Sequence, residues 1–117
     1  MNAEWNWQRP AITGPFAQAG KMGVNHDDPR QATMLYVHRL DSNNTDRSGN
    51  LMRLTPQNVI YLQQKTAATS WHRYQSTGRP TLTGDCWIIP VQTHAGSESG
   101  TEPPNGSPLL VTIPGNI

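Results

Sequence analysis

Val59-Ile60-Tyr61-Leu62-Gln63-Gln64, followed after residues 65–69 by Ser70-Trp71-His72-Arg73-Tyr74-Gln75-Ser76-Thr77, carries the pattern that decides the fold. The first segment is rich in β-branched and aromatic residues, which suit a pleated, half-buried surface. The second alternates. Trp71, Arg73 and Gln75 fall on one face, and His72, Tyr74 and Ser76 on the other. Two such strands joined by a five-residue polar link form a hairpin, closed by Gly78-Arg79-Pro80.

The flanking sequence repeats the theme. Residues 32–40 alternate with Thr33, Leu35 and Val37 on one face and Met34, Tyr36 and His38 on the other. Both faces carry bulk, so this strand is expected to be covered on both sides or to lie at a subunit contact. Cys86-Trp87-Ile88-Ile89-Pro90-Val91 is a further strand, in which Pro90 lacks an N–H and requires an edge or bulge. Leu109-Leu110-Val111-Thr112-Ile113 is the last, and 93–108 is a long Gly/Ser/Pro loop. Residues 46–54 admit two structures. One is a short helix capped by Asp46 with Leu51 and Leu54 facing inward; the other is a strand at 50–54 after Ser48-Gly49. Residues 1–31 are broken by Pro10, Gly14, Pro15, Gly20 and Gly23, leaving room for one short extended piece at 21–25.

Composition agrees with a loop-rich β protein. Leu, Ile, Val and Phe supply only 20 of 117 residues, whereas Asn, Gln, Ser and Thr supply 36, with 10 Gly and 10 Pro. A helical bundle and a coiled coil lack the aliphatic residues they need, and no run approaches the roughly 20 apolar residues of a membrane helix. The expected architecture is mainly β: a small antiparallel sandwich or barrel-like domain of about five to seven short strands with at most one short helix. Residues 1–13 are expected to form an irregular anchoring segment and 14–117 a single β-rich domain. The net charge of +1, with seven scattered arginines among nine cations, gives no footprint for nucleic acid. No apolar segment of signal-peptide length follows Met1, so synthesis in a cytoplasm is expected.

Few residues suggest chemistry. His26, His38, His72 and His94 lack the close spacing of metal ligands, and the single Cys86 permits neither an internal disulfide nor a multi-cysteine site. No nucleophile motif flanks Cys86, so no catalytic residue, metal or cofactor is assigned and an enzyme is not expected. Aromatic residues are the better candidates. Trp5 and Trp7, in a terminus with little around them locally, are expected to anchor into another subunit. Trp71, Arg73 and Gln75 could instead form one face of a glycan-binding platform.

The order of short motifs carries a resemblance. It runs through Pro15, Gly20-Lys21-Met22-Gly23-Val24-Asn25, Ala32-Thr33-Met34-Leu35-Tyr36-Val37, Asp41, Asp46, Leu51 and Leu54. It continues through Val59-Ile60-Tyr61-Leu62-Gln63-Gln64-Lys65, Ala68, Trp71, Arg73-Tyr74 and Gly78-Arg79-Pro80. Gly84, Trp87-Ile88-Ile89-Pro90-Val91, Asn105 and Leu109-Leu110-Val111-Thr112-Ile113 complete it. Together, over roughly 14–114, these resemble the small β-rich structural domain of tailed-bacteriophage virion proteins of the tail-fibre, head-fibre or decoration kind. Two positions depart from that pattern: Gln64 stands where an acidic residue is common, and Gln57-Asn58 where a glycine is. The resemblance implies a non-enzymatic virion structural protein: a capsid decoration, short head fibre or tail accessory subunit. It also implies capsid or tail proteins as partners and a homo-oligomer such as a trimer. The length of the chain suggests a compact accessory subunit rather than a long fibre. Assembly is expected through aromatic anchors and strand edges, without nucleic acid or membrane. The alternative is a carbohydrate-binding module for attachment to host-surface glycans.

Overall fold

A computed structural model describes residues 1–10, 17–96 and 103–113. Its eight strands are β1 (Asn2–Trp7), β2 (Lys21–Val24), β3 (Met34–His38), β4 (Val59–Gln64), β5 (Ala67–Ser76), β6 (Thr81–Thr83), β7 (Cys86–Gly96) and β8 (Pro108–Thr112). They lie in the order β3-β2-β1-β8-β4-β5-β7-β6, and β3 also pairs with β7. That pairing closes seven strands into a barrel, with β6 hanging on β7 beyond the end of β5. Every pairing is antiparallel except β1–β2. The expected mainly β class therefore holds, in its barrel form.

The alternation seen in the sequence fills the barrel. Trp5 and Trp7 of β1, Met22 and Val24 of β2, and Leu35 and Val37 of β3 point inward. Ile60 and Leu62, Tyr74, Ile89 and Val91, and Leu109 and Val111 complete the lining. With so few aliphatics, large rings take up the volume, and their polar tips need partners once buried. The Trp5 indole Nε1 donates to the carbonyls of His38 and Leu40 at 3.0 and 3.1 Å. Tyr74 Oη donates to the Pro29 carbonyl at 2.7 Å, and Trp87 Nε1 to Ser48 Oγ at 3.0 Å.

Residues 46–54 resolve as a helix, α1 (Ser48–Leu51), one turn long. Asp46 Oδ1 accepts the Ser48 N–H at 2.9 Å, and Leu51 and Leu54 are buried in the main core. The two bulky faces of β3 are both covered: Leu35 and Val37 look into the barrel, while Tyr36 packs outside it with Ala17 and Cys86.

Several expectations are corrected. The N-terminal segment is a strand where it is described (11–13 lie outside the described residues), and Asn2, Glu4 and Asn6 alternate outward against Ala3, Trp5 and Trp7. Trp5 and Trp7 have 0% exposure inside this chain's own barrel, so neither indole is presented to another subunit. The physical reason is supply: a barrel poor in aliphatics uses its indoles as filling. Closure also removes most of the free strand edges expected to guide assembly. The hairpin link shortens to Lys65-Thr66, because β5 begins at Ala67 and a bulge shifts its register at Gln63/Gln64. Residues 93–96 continue β7 along β5 instead of starting a loop, and 97–102 lie outside the described residues. Pro90 turns its missing N–H to the edge of β7 where the β6 pairing has ended at Ile88 and the β5 pairing begins at Val91, which spares the ladder a bond, and its carbonyl there accepts the Thr77 N–H.

Gly20 is one position where the backbone favours glycine. Its φ is +75°, and an added Cβ would stand 3.4 Å from the Ser42 backbone. Gly20→Ala is expected to cost about 1–2 kcal/mol, from the left-handed conformation alone. Chemical denaturation of the two forms checks this; equal midpoints would refute it.

Candidate functional site

The outer surface of the barrel is where a partner can be met, and one part of it is unlike the rest. On β4 and β5 the residues between the core positions, Tyr61, Gln63, Trp71, Arg73 and Gln75, are half-buried and face outward. The register sets Tyr61 opposite Arg73 and Gln63 opposite Trp71, so the two rings are diagonal neighbours on adjacent strands. Their centroids are 5.8 Å apart and their planes meet at 26°. The Arg73 guanidinium lies over the Trp71 ring, 5.6 Å from its centroid. Amides frame this ridge. Tyr61 Oη donates to Gln63 Oε1 at 3.1 Å, and Gln92 Nε2 on β7 donates to Gln75 Oε1 at 2.9 Å.

The structure thus brings Trp71, Arg73 and Gln75 together on one outward face, as the alternation predicts, and separates them from Trp5 and Trp7 inside. Tyr74, one residue from Arg73, is core. Tyr61 and Gln63 are ridge members that sequence reasoning missed. The signal was present: both alternate with the core residues Ile60 and Leu62, and the hairpin register brings them across from Arg73 and Trp71.

Two hollows adjoin other strands. One, of about 440 Å³, is lined by Asn2, Ala3, Glu4, Asn43, Arg47, Leu110 and Thr112. Its charges are paired: Lys65 Nζ lies 3.0 Å from Glu4 Oε1, and Arg47 Nε 2.8 Å from Asp41 Oδ2. The other, of about 420 Å³, is lined by Ala17, Gln18, His38, Thr83, Gly84, Asp85 and Cys86. It brings a thiol, an imidazole and a carboxylate into one neighbourhood, because His38 and Cys86 are a cross-strand pair. Each of the three is already engaged. Burial pushes the Cys86 thiol up, away from thiolate. His38 Nδ1 accepts the Leu40 N–H at 3.1 Å. Asp85 accepts from Arg39 Nε at 2.9 Å, which holds its carboxyl below the usual range.

Among the described residues no three His, Cys, Asp or Glu side chains gather in a group that would hold a metal ion. No helix there is long and apolar enough to cross a membrane. No family model matches this chain, and comparison with curated proteins and with solved structures finds no match.

Proposed function

We propose that the chain is a non-enzymatic structural module of a tailed-phage particle, a decoration, head-fibre or tail accessory subunit, whose contact surface is the ridge of Tyr61, Gln63, Trp71, Arg73 and Gln75. The observation that carries this reading is the location of the motifs behind the resemblance. Val59–Gln64, the Trp71 and Arg73-Tyr74 pair, the Trp87 run and the Leu109 run fall on β4, β5, β7 and β8, which are contiguous in the sheet. The ridge replaces Trp5 and Trp7 as the aromatic contact, since outward half-buried rings beside an arginine are the residue types that dominate interface energetics.

A second reading, a carbohydrate-binding module for host-surface attachment, is favoured by one specific feature. Two neighbouring outward rings flanked by glutamine amides offer an apolar face for a sugar ring and hydrogen bonds for its hydroxyls. The Trp71→Ala variant separates the two. Its fold is expected to survive within about 2 kcal/mol, because only an outer ring pair and the Arg73 contact are lost. Mass spectrometry of purified particles is expected to find the wild-type chain as a stoichiometric component and the variant depleted about tenfold or more. Normal incorporation with lost adsorption to host envelope would favour the carbohydrate reading. Absence of the wild-type chain from particles would refute the structural one.

A further inference from the structure

The ridge and the hollow on β1 and β8 belong to one surface. Sheet register connects them row by row: Glu4 is opposite Leu110, Leu110 opposite Gln63, and Gln63 opposite Trp71. The next row runs Asn2, Thr112, Tyr61, Arg73. Leu110 and Thr112 line the hollow at one end and touch the ridge residues at the other. Four adjacent strands at ordinary spacing span about 14 Å, longer than a single sugar ring.

The chemistry along this path is uneven in a useful way. At the β4–β5 end stand the two rings and Arg73. At the β1 end stand Asn2, Asn43 and Thr112, all exposed, around the exposed Leu110. The charges between them are neutralised internally, Glu4 by Lys65 and Arg47 by Asp41. A surface with stacking rings, amides, a hydroxyl, two self-paired charge pairs and one guanidinium held over the Trp71 ring matches a polyhydroxylated chain without a run of charges. It suits a charged polymer poorly, because Arg73 offers a polyanion a single contact at one end and the other charges would have to leave their partners.

We propose that these rows form one elongated groove for a neutral oligosaccharide, with a stacking subsite on Tyr61 and Trp71 and a hydrogen-bonding subsite at Asn2, Asn43 and Thr112. This rests on the carbohydrate reading of the ridge and adds to it a second subsite and a preference for chain length. The side chains at Asn2, Asn43 and Thr112 are exposed, so replacing them leaves the core intact.

The test uses the full chain on an array of neutral hexose and N-acetylhexosamine glycans from monosaccharides to long oligomers, with calorimetry on those that bind. Affinity is expected to rise from monosaccharide to longer oligomer. Trp71→Ala is expected to weaken every bound glycan about 10- to 100-fold. The combined Asn2→Ala and Asn43→Ala variant is expected to weaken long oligomers about 5- to 150-fold, the range for two lost hydrogen bonds, and to leave monosaccharides unchanged. Unaltered thermal unfolding of both variants guards against misfolding. If Trp71→Ala removes binding while the double variant matches wild type on long oligomers, the groove is refuted and the ridge reading stands. If the wild-type chain binds no glycan on the array, both fall.

Discussion

Deleting residues 2–9 is expected to abolish cooperative folding, not merely assembly. β1 lies between β2 and β8, and it is the strand through which the β2–β3 side of the barrel reaches β8. Its removal opens the barrel, strips the β8 edge of a five-residue ladder and exposes Leu109 and Val111. It also removes Trp5 and Trp7, two of the largest fully buried side chains. A single Trp5→Ala exchange is expected to cost about 3–5 kcal/mol, the range for a buried large ring replaced by alanine. The carbonyls of His38 and Leu40 also lose their indole donor. Against a total stability of about 5–15 kcal/mol for a small domain, that loss leaves the fold marginal. Urea unfolding followed by tryptophan fluorescence checks both. A deletion variant with a wild-type transition, or Trp5→Ala within 1 kcal/mol of wild type, would show that β1 is the docking arm its sequence first suggests.

How that strand escapes a reading of the sequence is instructive. Asn2-Ala3-Glu4-Trp5-Asn6-Trp7 alternates as cleanly as any strand in the chain. What the sequence lacks is the partner: β1 pairs with β8, over a hundred residues away, and with β2 across the glycine- and proline-rich stretch. Local patterning identifies a face but not what covers it. The same limit hides closure, since the β3–β7 pairing joins segments with no local relation. The central hairpin, β3, β7 and β8 were legible because each holds several β-branched or aromatic residues in period two. The ridge was half legible. Trp71, Arg73 and Gln75 follow from alternation within one strand, but Tyr61 enters only once the register across the hairpin is known. β6 was illegible for a different reason: its three residues are all exposed, so burial leaves no mark on their order.

Replacing Asp41 is expected to be among the most costly polar changes in the described residues. Its side chain is fully buried, and three donors converge on it. Oδ1 accepts the N–H groups of Asn43 and Thr45 at 2.9 and 3.0 Å, and Oδ2 accepts from Arg47 Nε at 2.8 Å. These contacts fold the loop after β3, whose Leu40 carbonyl receives the indole of Trp5. Asp41→Ala strands two N–H groups and the Arg47 guanidinium, and is expected to cost about 2–4 kcal/mol. Asp85→Ala removes an exposed partner of Arg39, which keeps Asp46, and is expected to change little. Burial alone would raise the Asp41 pKa, but the Thr45 and Asn43 N–H groups and Arg47 outweigh it and hold the carboxyl below its ordinary value. A depressed folded-state pKa means the carboxylate's stabilisation is present above the unfolded value, about 3.9, and is lost as pH falls through the folded one. Asp28, Asp46 and Asp85 are lowered too, so some acid sensitivity remains even without Asp41. Asp41→Asn retains an acceptor oxygen but cannot titrate. It is expected to be less stable than wild type at neutral pH and to lose stability less steeply below about pH 4. Denaturation midpoints measured from pH 7 down to pH 2 test this, and parallel curves for the two proteins would contradict it.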